Sequence, residues 1–114
     1  MSTPVELDVP ARAEYVRMVR MVVAALAATT RDLDEDRLDD LRLADSEACA
    51  LAVGAGERLR VVAREEPDAF VVDVHDRPDD VEADELAFAI ISALVDDVAP
   101  IDGGLRLRMA CLPA

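Results

Sequence analysis

An α+β sandwich of two layers, with helices on one face of a mostly antiparallel sheet, is the fold class this chain predicts. Three observations predict it. Segments such as VELDV (5–9) and GGLRLRMACL (103–112) alternate apolar and polar residues with the period of a half-buried strand. Longer segments from 12 to 29 and from 34 to 53 repeat their apolar residues at helical spacing instead. The order in which the two periods follow one another, β-α-α-β-β-α-β-β, implies helices gathered on one side of a single sheet.

The first strand, VELDV, ends at Pro10. From Arg12 to Thr29 the apolar residues Tyr15, Met18, Val19, Val22, Val23 and Leu26 form the stripe of an amphipathic helix. RDLDED interrupts the pattern. A second helix starts near Asp34, whose carboxylate suits an N-cap, with Glu35 and Asp36 in the first turn where the helix dipole favours negative charge. It runs to about Val53 and stops at the glycines of GAG (54–56). LRVVARE (59–65) and AFVVDVH (69–75) read as two strands joined by the short EPD turn, a hairpin. RPDD is a loop. A third helix over about Glu82–Val95 places Leu86, Ala89, Ile90, Ala93 and Leu94 on one face. A short strand around Val98–Ile101 precedes the last one.

Residues 1–114 are expected to form one domain, long enough to bury roughly 65% of the unfolded surface without disulfides or a structural metal. Apolar residues make up 53% and charged residues 32%, which excludes a disordered chain. No apolar run reaches the length of a membrane span, and MSTPVELDVP has neither the basic region nor the apolar core of a secretory signal, so a cytoplasmic location is expected. Cys49 and Cys111 stand far apart in apolar surroundings and read as reduced, buried thiols. The net charge of −13 argues against binding a phosphate backbone and suits a basic protein partner, with charge mainly raising the on-rate. All 12 basic residues are Arg, and the chain contains no Lys, Asn or Gln.

Three segments carry candidate chemistry. DLDEDRLDD (32–40) suggests a calcium loop, but the sixth and twelfth positions are Arg37 and Leu43 where glycine and glutamate are required, so it reads as a solvated helix start. His75 lies among Asp73, Asp76, Asp79 and Asp80, with nothing in the sequence to fix its geometry for metal binding or proton transfer. No Cys/His spacing supports a metal. Asp45 falls in the middle of the apolar stripe Leu38, Leu41, Ala48, Cys49 and Ala52 of the second helix. A carboxylate there has to be ion-paired, protonated, or placed at a surface that a partner covers.

VELDVPARAEYVRMVR, DLRLADSEACALAV and VVDVHDRPD, in that order, resemble the anti-sigma factors of the GHKL ATPase family, the RsbW-like serine kinases. Most specific is the second stretch, where the family typically reads D-L-R-L-A-x-S-E-A-C-x-N-A-V. The resemblance implies a general base at Glu47 and a Mg²⁺-holding Asn at the position of Leu51, which offers a hard cation no oxygen. Asp76 matches the adenine-reading Asp of a D-x-G-x-G turn, yet Arg77, Pro78, Asp79 and Asp80 follow it, so both glycines are missing. Few residues remain for the phosphate lid, and Glu85-Leu86-Ala87-Phe88 stands where G-x-G-L is usual. A fold of this kind that has given up ATP chemistry is the expectation. Neither ATP nor Mg²⁺ is expected as a cofactor, with Glu47 and Asp76 as remnants of the site. The resemblance implies a protein that binds and sequesters a sigma factor. The first helix would carry the contact through Arg17 and Arg20, with Asp45 as a further partner-facing charge. It also implies an anti-anti-sigma partner and a homodimer. The alternative is an ATP-dependent serine kinase acting on that anti-anti-sigma factor.

Overall fold

Alternation along each strand decides which side chains meet the helices, and here the pairing register lines up the helix-facing positions of all five strands. The computed structural model describes residues 4–29, 33–55, 57–75, 85–101 and 103–111, with the backbone alone at 51–55, 85 and 87. Its elements run β1 (Val5–Pro10), α1 (Ala13–Ala28), α2 (Glu35–Ala55), β2 (Arg58–Glu66), β3 (Ala69–His75), α3 (Glu85–Leu94), β4 (Asp97–Ile101) and β5 (Gly104–Ala110). The five strands pair antiparallel throughout, in the order β1-β2-β3-β5-β4. This is the predicted α+β sandwich with the predicted order of elements.

One row of directly opposed residues, Leu7, Val61, Val74 and Leu105, belongs to the face packed against the helices. So do Ala63, Val72, Leu107 and Val98. The helices complete that core with Val16, Val19, Val23 and Ala27 of α1, Leu41, Ala44, Ala48 and Cys49 of α2, and Ile91 of α3. The opposite face carries Glu6, Val62, Asp73, Arg106 and Ala99 in one row. Both edge strands contain a proline, Pro10 in β1 and Pro100 in β4.

Local chemistry sets the element ends. Asp34 caps α2 as predicted, its Oδ1 accepting the Arg37 backbone N–H at 2.9 Å. Arg37 itself reaches across to Asp96 and to the Ala110 carbonyl at 2.6 Å, while Asp96 also accepts the Ala110 N–H at 2.7 Å. The start of α2 is thereby tied to the end of β5. Gly104 is required by space: a Cβ there would lie 1.9 Å from the Val74 carbonyl oxygen.

Two helical faces differ from the sequence expectation. In α1 the buried residues are Val16, Val19, Val23 and Ala27, whereas Met18, expected in the stripe, is 56% exposed. Apolar residues cover so much of this helix that spacing leaves its orientation uncertain by about one residue. In α3 the buried residues are Ile91 and Val95, just past its end, while Leu86 is 71% and Ile90 39% exposed, with Ala89 and Ala93 exposed as well. ELAFAIISAL is apolar almost all round, so its period cannot select a face. Replacing Ile91 with Ala should cost about 3 kcal/mol, and Ile90→Ala less than about 1 kcal/mol. Denaturant midpoints of the two variants measure the difference, and equal losses would reject this placement of α3.

Candidate functional site

The outward side of α1 is built by the same periodicity that buries Val16, Val19 and Val23: Arg17, Met18, Arg20 and Met21 are left facing solvent. With Arg42 of α2, the residues Arg17, Arg20, Met21, Ala24 and Ala28 line an open groove of about 580 Å³ between the two helices. The small alanines give it an apolar floor, and the three arginines give it a positive rim.

The charge environment makes these arginines unusual. On the open face of the sheet Arg58 pairs with Asp8 at 3.0 Å, Arg60 with Glu6 at 2.6 Å, and Arg108 with Asp68 at 3.0 Å. Arg64 and Arg106 both hold Asp73, at 2.9 and 2.7 Å, and Arg64 also meets Glu66 at 3.1 Å. Arg37 pairs with Asp96, and Arg42 with Asp39 at 3.5 Å. Among the described residues, only Arg12, Arg17 and Arg20 have no ion pair, in a chain where acidic residues outnumber basic ones 25 to 12.

Asp45 requires a correction. Of the three options the sequence left, the partner-facing surface is wrong: the residue is 1% exposed and covered by its own chain. Among the described residues it has no ion pair either; its carboxylate Oδ1 accepts a hydrogen bond from the Cys49 thiol at 3.6 Å. Burial pushes its pKa up to about 6, against the opposing effects of the Cys49 hydrogen bond and the Arg20 charge. Asp73 shows the reverse balance. Burial alone would raise it, but hydrogen bonds from Arg106 and Arg64, together with their charges, hold it below the usual carboxylate range.

Glu47 is half-buried on α2, one turn before Leu51 on the same helix. That pair supplies a single carboxylate and no second oxygen, a poor donor set for Mg²⁺. Asp76 and the acidic stretch after it lie outside the described residues, as does the loop before α3. His75 ends β3 opposite Arg60 and Gly104. No group of three His, Cys, Asp or Glu side chains is placed to hold a metal ion among the described residues, and none of their helices is long and apolar enough to cross a membrane.

Sequence reasoning found Arg17 and Arg20 but missed Arg42 and the exposed methionines. The signal for Met21 was present, since it lies one residue from Arg20 and four from Arg17. Arg42 could not be found without knowing which side of α2 meets α1.

A sheet of this order covered on one face by three helices, with a Glu-bearing central helix, defines a class. The chain belongs to the histidine kinase-like ATPase domain family, which matches residues 9–111. Among curated relatives it is similar to the anti-sigma-F factor RsbW of two Mycobacterium tuberculosis strains, 35% identical over 112 residues that cover 93% of this chain. The chain spans 66% of the length of those relatives. It is also similar to the serine-protein kinase RsbW of Bacillus licheniformis, 27% identical over 92% of this chain and 82% of that protein.

The pairing pattern separates two kinds of arginine. Asp73→Ala leaves Arg64 and Arg106 facing each other across the sheet and should cost about 2–3 kcal/mol. Arg17→Ala breaks no ion pair and should stay within about 0.5 kcal/mol of wild type. Because the Asp73 pKa is lowered on folding, its contribution is present above the ordinary carboxylate range and lost as pH falls through the folded value. Acid unfolding curves of the Asp73 variant should therefore lose part of the wild-type slope below about pH 4.

Proposed function

We propose that the chain is an anti-sigma factor that sequesters an RNA polymerase sigma factor by direct contact, without ATP or kinase chemistry. The observation that carries this reading is the α1 face, where Arg17 and Arg20 have no ion pair among the described residues and lie beside exposed Met18 and Met21. An acidic chain that pairs its other described arginines, apart from Arg12, leaves these two for a partner's carboxylates. Arg and Met are also the residue types enriched at protein interfaces. The names of the Mycobacterium relatives support the partner class. The absence of an oxygen ligand at Leu51 and of any Asn or Gln supports the loss of nucleotide chemistry. The proposed setting is the cytoplasm, with no contact to nucleic acid. An anti-anti-sigma factor is the proposed releasing partner, and self-association into a dimer belongs to the same reading.

The serine-kinase reading retains one specific observation: Glu47 stays half-buried at the position of the family's base, and the Bacillus relative is named a serine-protein kinase. Titration calorimetry with ATP·Mg²⁺ at millimolar concentration separates the two. No measurable heat is expected, and micromolar affinity would restore the kinase.

The docking face is tested with the purified sigma factors of the source bacterium. Arg17→Glu combined with Arg20→Glu should weaken the complex by about 30-fold or more, the equivalent of about 2 kcal/mol, with the circular dichroism spectrum and thermal midpoint unchanged. Asp76→Ala and Glu47→Ala should have little effect. The opposite ranking, with all variants folded, would move the working site to the nucleotide pocket. Association of the wild-type chain, at net charge −13, with a sigma factor of net positive charge should also slow as ionic strength rises, since exposed charges are screened beyond about 8 Å at physiological salt.

A further inference from the structure

The side of α3 turned away from the sheet is apolar and open. From Leu86 to Val95 the chain contains no charged residue, although charged residues make up 32% of it. Ile91 takes one side of the helix into the core. The opposite side presents Leu86, Ala89, Ile90 and Ala93, spaced i, i+3, i+4 and i+7, and all four are exposed. A helix that is apolar on both sides ordinarily has protein on both.

The neighbouring flank of α2 supplies the charge. α2 packs against α1 on one side and against α3 on the other. Arg42 lines the groove with α1, whereas Asp36, Asp40, Leu43 and Glu47 lie roughly half a turn round the helix from it, on successive turns of one stripe. That stripe therefore borders α3. Leu43 is exposed within it, and Asp36, Asp40 and Glu47 make no ion pair among the described residues. The fold spends most of its arginines on other carboxylates and leaves these three unneutralised.

We propose that the outer α2–α3 surface docks an amphipathic helix with a basic flank, supplied by a partner protein. Apolar side chains of that helix seat on Leu43, Leu86 and Ile90, over the low ground of Ala89 and Ala93, while its Lys or Arg residues meet Asp36, Asp40 and Glu47. α3 has 10 residues and is about 15 Å long, which matches about three turns of the incoming helix. Charge selects this occupant. A second copy of the chain would bring the same three unpaired carboxylates, and a net charge of −13, to the contact. An anionic membrane is repelled for the same reason. Only a basic amphipathic helix satisfies the apolar stripe and the acidic ridge together. The surface lies across α2 from Arg17 and Arg20, so the proposal stands whether or not α1 docks a sigma factor.

The test uses a synthetic peptide of about four helical turns built from Leu and Lys at helical spacing. A scrambled peptide of the same composition and a Leu/Glu version serve as controls. In an NMR titration of the isolated chain, amide resonances should move along α3 and around Leu43 and stay flat along α1. Both control peptides should bind about 10-fold more weakly or worse. Leu86→Glu combined with Ile90→Glu makes the chain more acidic, yet it should weaken binding of the Leu/Lys peptide by about 10-fold or more, because the apolar seat is lost. Asp40→Asn with Glu47→Gln should weaken binding at low salt and change it little at high salt. Circular dichroism checks that the variants fold; where one does not, the wild-type shift map and the scrambled peptide decide alone. Equal or tighter binding to the Leu86→Glu, Ile90→Glu variant means that charge alone draws the peptide, and overturns the proposal, as do shifts confined to other surfaces. Self-association of the wild-type chain that this variant abolishes would give the surface to a second copy. Binding to neutral phosphatidylcholine vesicles that it abolishes would give the surface to lipid. Either result also overturns the proposal.

Discussion

A sheet with helices on one side only has to keep its second face ordered without a second layer. In this chain the ion cluster at Asp73 does so. Asp73 occupies the central strand, is 5% exposed, and is held by Arg106 directly opposite on β5 and by Arg64 diagonally on β2. The same register puts Val71 between Arg64 and Arg108, where it is 1% exposed although it faces away from the helices. Long arginine stems serve as cover on that face while their heads stay with carboxylates. A one-residue slip of any central strand would break the cluster and turn its apolar row outward, so the ion pairs and the hydrophobic alternation enforce one register together.

Once the sheet is fixed, α2 lies between α1 and α3 and its two flanks acquire different roles. One flank meets α1, with Arg42 at the rim of the groove, while Asp45 and Cys49 are buried inside the fold. The start of the helix is anchored through Arg37 to Asp96 and Ala110. The excess of carboxylates then works as a filter. Arginines that can reach one are consumed within the fold, and those projected outward from α1 are not. A surface can thus be selected for binding by what the rest of the molecule leaves unneutralised.

Strands and their order were legible because alternation over five to nine residues is unambiguous when one face is buried, as in VELDVP and RLRVVAREE. The α2 start was legible through Asp34, whose cap is a local event within one turn. Helix orientation was not. α3 offers apolar residues on every side, and the choice between Ile90 and Ile91 is made by contacts with α2 that lie far away in sequence. Asp45 was recognised as anomalous from its place in the stripe, but whether it faced a partner, an arginine or the interior depended on where α1 crosses. Glu47 and Leu51 could be judged chemically from residue type alone, since a missing oxygen ligand needs no coordinates.

Pro10 and Pro100 lie one on each outer strand of the sheet. Proline cannot donate a backbone hydrogen bond, and each therefore interrupts the row of donors that an incoming strand would need. Growth of the sheet by a foreign strand, or by a copy of itself, is disfavoured at both margins. Contacts through side chains are favoured over shared backbone ladders at these margins. Both margins of the sheet are thus closed to strand addition, whatever surface the protein uses for contact.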